Sequence, residues 1–304
     1  MATSSNNVAL PDVVFGFADS AAPAQDFARH VGAAYRDVAV HSFPDGESRV
    51  TVPGTAQRPV FFRSLNQPNE KLIEVLLAGS VLRERGVREV TLIAPYLAYM
   101  RQDIAFHPGE AVSQKVIGSL LADMFDRFVS VDPHLHRVAT LDAVFAGKPA
   151  LSLTAAAHMA GHFLARPTSA DALVVGPDVE SGPVVEAFAT AAGRSWTTAL
   201  KVRHGDHDVR ISLPAHMNVA GRPVVIVDDI ISSGTTIMTM AKLVKAAGAP
   251  RVDVYTTHAL FDQASGQAMI EAGVDHIFSC DSVSHPSNAI ALAPLLAEGI
   301  SKWR

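Results

Sequence analysis

The sequence predicts an α/β protein made of two halves, each a largely parallel sheet flanked by helices. Short β-branched apolar runs recur along the chain, and each is followed by an amphipathic or Ala-rich stretch, the alternation expected of β-α-β units. The runs are apolar almost throughout rather than alternating, as strands covered on both faces are. The length of 304 residues, 48% of them hydrophobic, suits one large domain or two of about 150 residues with a core of their own.

The candidate strands are Val13–Phe17, Val60–Leu65, Val90–Ala94, Phe128–Val131, Ala172–Val175, Val224–Val227, Val252–Thr256 and His276–Ser279. Between them lie the helical stretches Glu70–Arg85, Ala111–Asp123, Pro183–Ala192, Thr236–Ala247 and Gln263–Ala272. Gly147–Pro149 breaks the pattern and divides the chain into domains 1–149 and 150–304, with the last helix able to pack back on the N-terminal domain. Self-similarity between the halves is too weak to establish duplication. The polar segment Arg203–Arg210 reads as an exposed, mobile loop.

Composition narrows the function classes. Lys and Arg number 25 against 30 acids, so the net charge of −5 offers no basic field for nucleic acid. Anionic ligands must be held by local devices instead. Cys280 is the single cysteine, which rules out an internal disulfide and suits a reducing cytoplasm. Met1–Leu10 lacks a basic segment and an apolar stretch, so no signal peptide is expected there. No apolar run reaches the ~18 residues of a membrane span.

The most informative stretch is Val224–Thr236, where a buried strand runs into Asp228 and Asp229, then Ser232-Ser233-Gly234-Thr235-Thr236 opens a helix. Adjacent carboxylates at a sheet edge are costly unless cations or hydroxyls engage them. The turn and helix N-terminus aim N–H groups and a partial positive charge at one place. Together they suit a phosphorylated polyol. Ordinary helix capping accounts for one Asp or one Ser, not for the constellation.

This stretch resembles the phosphoribosyl pyrophosphate motif of type I phosphoribosyltransferases and of phosphoribosyl pyrophosphate synthetases (ribose-phosphate pyrophosphokinases). The resemblance implies that Asp228 and Asp229 hold the ribose 2- and 3-hydroxyls, and that Ser232, Ser233, Gly234, Thr235 and Thr236 cradle the 5-phosphate. The family commonly carries Asp where Ser232 stands and Gly where Thr235 stands. A charge is therefore missing beside the ribose, and the loop is expected to take a different shape because Thr disfavours positive φ.

Four further segments resemble the synthetases. Ser42-Phe43-Pro44-Asp45-Gly46-Glu47 is similar to their adenine loop, which implies Phe43 stacking on the base and Asp45 and Glu47 at its amine; turn packing is the plainer role for Phe43. Pro95-Tyr96…Tyr99-Met100-Arg101-Gln102-Asp103 resembles their ATP segment, with Arg101 on phosphates and Gln102 on the adenine edge. Val131-Asp132-Pro133-His134 matches their Asp-Leu-His with Pro133 for Leu, which implies His134 near Mg²⁺–ATP. Gly176-Pro177-Asp178-Val179-Glu180 stands where the family has its pyrophosphate loop. Asp178 would then contact Mg²⁺ or its water, and Glu180 adds a second carboxylate.

Lys201 and Arg203, at i and i+2 of an extended run, project to one face. They are similar to the family's cationic pair at the base of a catalytic loop. The implied reaction is ribose-phosphate diphosphokinase chemistry, with ATP and ribose 5-phosphate as substrates, Mg²⁺ as cofactor and a homo-oligomer of dimer or hexamer-of-dimers type. Two other readings are a phosphoribosyltransferase and a non-catalytic homologue that regulates a true synthetase.

Overall fold

The computed structural model describes residues 10–167, 170–204, 208–212, 214 and 218–303, with 201–204 and 208–211 described in backbone only. The chain forms two compact units. The first runs to Leu153 and includes Ser282–Ser284 and the chain from Ala291 onward; the second comprises Thr154–Asp281 and His285–Ile290.

The first unit holds β1 (Val13–Phe17), α1 (Ala21–Val31), β2 (Ala34–Ser42), β3 (Ser48–Thr51), β4 (Pro59–Phe62) and α2 (Pro68–Glu84). It continues through β5 (Thr91–Ile93), α3 (Ser113–Met124), β6 (Arg127–Val131), α4 (Leu141–Val144) and β7 (Ala150–Leu153). Its seven-stranded sheet has the order β3-β2-β1-β4-β5-β6-β7, parallel except for the β2–β3 pair. The break expected at Gly147–Pro149 falls after Leu153 instead, because β7 pairs with β6 as an edge strand of this sheet. β1 and β4 are buried along their whole length, as their unbroken apolar runs require. Phe15, Phe61, Phe125, Phe128 and Phe145 form a continuous aromatic chain through the core, with Phe128 stacked on Phe145 at 3.6 Å.

The second unit holds α5 (Ala156–Leu164), β8 (Leu173–Gly176), α6 (Gly182–Ala192), β9 (Ser195–Thr198), β10 (Leu200–His204) and β11 (Asp208–Ser212). Then come β12 (Val224–Ile231), α7 (Thr235–Ala246), β13 (Val252–Ala259), α8 (Gln263–Glu271), β14 (His276–Cys280) and β15 (Asn288–Ile290). Six parallel strands make the order β15-β14-β13-β12-β8-β9. Leu173, Val175, Val224, Ile226, Val252 and Val254 pack there against Ile237, Met240 and Val244 of α7. The last helix, α9 (Ala293–Lys302), packs on α1 and β7 within the first unit.

Strand order makes the repetition plain where sequence does not. Without β3, the first sheet reads β2-β1-β4-β5-β6-β7 and the second reads β9-β8-β12-β13-β14-β15, the same path taken twice. The first unit adds β3 antiparallel to its second parallel strand, β2, whereas the second unit places a separate antiparallel pair, β10–β11, after its second parallel strand, β9.

Two further expectations need correction. The segment Arg203–Arg210 is not a loop throughout: Arg203 pairs with Val209 and Val202 with Arg210 in the β10–β11 hairpin. Apolar residues at every second place, Leu200 and Val202, then Val209 and Ile211, support strands despite the charges between them. And β12 does not stop at Val227. It continues through the acid pair to Ile231, bonded to β13 at Asp228↔Thr256, Ile230↔His258 and Ile231↔Ala259.

Candidate active site

Ligands of open α/β sheets bind beyond the carboxyl ends of the strands, where neighbouring connections diverge. In the second sheet that place lies between β8, which leads on to β9, and β12 on its other side. Asp178 emerges just after β8. Its Oδ1 accepts from the backbone N–H groups of Glu180 and Ser181, both at 3.1 Å, which fixes the turn into α6. Ser181 Oγ donates back to the Asp178 carbonyl at 2.7 Å.

Pairing of β12 with β8 ends at Ile226, while its pairing with β13 runs on. Asp228 and Asp229 therefore sit on a stretch of strand anchored along the β13 side. Burial pushes the Asp228 carboxyl well above the usual carboxylate range, and the nearby charges of Asp229 and Asp178 push it the same way. Three acids meet at one strand edge, and both charged groups acting on Asp228 share its sign. Such a cluster invites a divalent cation or a polyol.

The turn after β12 sits beside them. Ser232 and Ser233 are exposed, and Ser233 Oγ lies 3.0 Å from Thr235 Oγ1. Gly234 has φ +71°, and a Cβ there would come within 2.8 Å of Met269 Sδ, so glycine is required on two counts. Thr235 is already helical, the first residue of α7. The left-handed duty falls on Gly234 alone, so Thr235 leaves the turn unstrained. The exposed N-terminus of this 12-residue helix is available to an anion.

In the first unit, Phe43 lies at the tip of the β2–β3 hairpin rather than in the core. It is 39% exposed and edge-on to His41, with centroids 4.8 Å apart. The tip is set by Phe43 N–H to the Glu47 carbonyl (2.7 Å), Gly46 N–H to the Phe43 carbonyl (3.0 Å) and Glu47 N–H to Asp45 Oδ1 (3.2 Å). Asp45 and Glu47 are exposed beside it.

Arg101 and Gln102 follow β5 at the carboxyl edge of the sheet, Arg101 exposed and Gln102 half-buried. The Gln102 carbonyl accepts from Gln114 N–H at 3.2 Å, and Gln114 Nε2 reaches the Met100 carbonyl at 3.4 Å, so the start of α3 props this segment. His134 follows the neighbouring strand β6. Asp132 ahead of it takes φ +39° and donates its N–H to Leu153 at 2.7 Å. The His134 and His136 rings meet edge-on at 3.7 Å.

The proposed site residues thus divide by unit: Phe43, Asp45, Glu47, Arg101, Gln102 and His134 on the first, Asp178 and Asp228–Thr236 on the second. Lys201 and Arg203 belong to β10 by backbone. Their side chains lie outside the described part of the structure.

Residues 13–124 match the N-terminal domain of ribose phosphate pyrophosphokinase, and residues 152–294 match a phosphoribosyl transferase domain. A ribose-phosphate pyrophosphokinase of Methanopyrus kandleri is 32% identical over 263 residues, 85% of this chain and 88% of that one. The chain belongs to the ribose-phosphate pyrophosphokinase family. A relative of the same name from Halobacterium salinarum is 33% identical over 268 residues, covering 87% of this chain and 92% of its own. The fold is that of phosphoribosylpyrophosphate synthetase from Mycobacterium smegmatis, with a TM-score of 0.81 at 24% identity over 95% and 97% of the two chains.

Sequence reading of this pyrophosphokinase-family chain missed one element of the first unit's edge. Arg137, after β6, pairs with the buried Asp103 that ends the Arg-Gln-Asp segment, at 2.8 Å. Arg137 stands just past the His134 motif, with no pattern of its own to mark it.

Proposed function

We infer that this chain is a ribose-phosphate diphosphokinase, transferring the diphosphoryl group of ATP to the 1-hydroxyl of ribose 5-phosphate to give phosphoribosyl pyrophosphate and AMP. The observation that carries the reading is the cluster of three acids, Asp178, Asp228 and Asp229, beside the exposed α7 N-terminus. That edge fits a sugar phosphate: carboxylates accept from the ribose 2- and 3-hydroxyls, and Ser232–Thr236 bind the 5-phosphate through hydroxyls and N–H groups. The match of the family across residues 13–124 supports an ATP-binding half, which a phosphoribosyltransferase does not need.

Phosphoryl-group transfer leaves little covalent work to the protein; it aligns the reactants and offsets charge. On the first unit, Phe43 stacks on the adenine, Asp45 and Glu47 accept from its amine, Gln102 meets its edge and Arg101 pairs with phosphate. Lys201 and Arg203 stabilise the charge that develops on the transferring group. Mg²⁺ is a hard cation that takes oxygen ligands: the Asp178 carboxylate would hold it directly or through water, and His134 on the first unit would approach Mg²⁺–ATP through water. Bound there, Mg²⁺ would screen the phosphates and favour departure of AMP. The reading includes a homo-oligomer and a cytoplasmic place of work; no helix among the described residues is long and apolar enough to cross a membrane.

The test is ³¹P NMR of the purified chain with Mg²⁺, ATP and ribose 5-phosphate. Stoichiometric AMP with a new sugar diphosphate is expected. ATP and ribose 5-phosphate left unchanged would refute the reading, and an obligate catalytic partner recovered in a pull-down would mark a regulator instead.

A further inference from the structure

We propose that Arg137 is a further triphosphate-binding residue of the first unit, with Asp103 as its positioning residue; the inference rests on the reading that ATP binds along that unit's strand edge. Asp103 closes the segment after β5, and Arg137 stands beyond β6, the adjacent parallel strand. Their 2.8 Å bond ties the two connections together at the carboxyl edge of the sheet.

The geometry of the pair is unequal. The Asp103 side chain is 1% exposed and the Arg137 side chain 44%. Asp103 gives Arg137 one oxygen, Oδ1, while its Oδ2 is buried without a hydrogen-bond partner. Arg–carboxylate pairs frequently take the two-pronged form, with both oxygens on the guanidinium fork, and this pair uses one oxygen. A buried carboxylate oxygen left unmatched costs stability. Among the described residues Arg137 makes this single side-chain hydrogen bond, so Nε and Nη2 remain for another acceptor.

Position says which acceptor. Arg101 and Gln102 share the connection of Asp103, and His134 shares that of Arg137. A triphosphate carries several negative charges, and this chain, at net −5, has no general field to attract them. A buried acid that draws one guanidinium to the edge and leaves its other donors open supplies a local cation at fixed orientation. The fork matters, since a lysine would bring a point charge without it.

Isothermal titration of Mg²⁺–ATP, with ribose 5-phosphate omitted, tests the proposal, with adenosine as the phosphate-free control. Arg137→Gln should weaken ATP binding roughly 10- to 100-fold and leave adenosine unchanged, with Arg137→Lys recovering only part. Asp103→Asn should act in the same direction, and the double variant should bind no worse than Arg137→Gln, since the two act as one unit. Unchanged ATP affinity in Arg137→Gln, or equal losses for ATP and adenosine, would overturn the inference. Arg101→Ala separates the two levels. If it weakens ATP while Arg137→Gln does not, only the role of Arg137 falls; if neither variant moves ATP, the reading of the edge itself falls.

Discussion

The two sheets follow one path, yet the same place in each is filled by opposite chemistry. In the first, Phe61 pairs with Phe15, and Arg63 comes two residues later; in the second, Ile226 pairs with Val175, and Asp228 comes two residues later. Arg63 thus holds the register position of Asp228. It is buried and fully engaged: Nη1 lies 2.6 Å from Glu74, Nε 3.3 Å from Asp19, and the guanidinium sits 4.2 Å over the Phe17 ring. Lys71 completes the set at 2.7 Å from Asp19. The first unit therefore satisfies its charges internally at the point where the second leaves three acids together. One fold can close or open its binding point by the sign of a single strand-end residue, and the first unit's candidate ligand contacts lie elsewhere, on the β2–β3 hairpin and after β5 and β6.

The largest test of this contrast is to break the closed end. Arg63→Ala leaves Glu74 and Asp19 without their buried partner and should lower stability by about 3–5 kcal/mol, read from the midpoint of chemical unfolding. Next comes the open end's cationic pair. Lys201→Ala or Arg203→Ala should each reduce turnover by on the order of 10²–10³ with folding unchanged, the scale of one lost electrostatic stabiliser; a loss under tenfold would remove β10 from the site. Gly234→Ala forces a side chain into a left-handed position and should cost about 1–2 kcal/mol. Its KM for ribose 5-phosphate should rise while that for ATP holds.

The finest test concerns pH. Asp228 in the folded chain titrates above its unfolded value, so over the interval between the two the native state holds more protons and stability falls as pH rises. Asp228→Asn should therefore melt higher than the parent at pH 8, with the gain shrinking as pH falls towards 4, even as turnover is lost. A flat difference across that range would mean Asp228 is already compensated.

Much of this was readable from residue pattern, and the gaps have physical causes. Continuously apolar strands such as β1 and the helix α6 stood out because burial dictates them. β2, between β3 and β1, buries only Val38, so its alternation is polar and silent. α1 hides behind Pro23, tolerated because it lies in the first turn, although Ala24, Phe27, Ala28 and Val31 form a regular buried stripe. β12 looked shorter because adjacent acids are poor strand formers; pairing with β13 outweighs that preference. The acid-and-turn motif was legible because its residues are contiguous. The Arg63 network and the Asp103–Arg137 pair join residues far apart in sequence, and only folding brings them together.

The placement of α9 has a consequence for synthesis. Ala293, Leu296 and Ile300 are buried, and Gly299 lies so near Leu151 and Leu153 that a Cβ would approach within 2.7 Å. These contacts seal the N-terminal unit with the chain's final helix. A ribosome adding roughly 5–20 residues per second would emit the whole intervening unit before that seal arrives. The half begun first is the half finished last, and in the meantime the bare flank of α1 and β7 is exposed to chaperones and proteases.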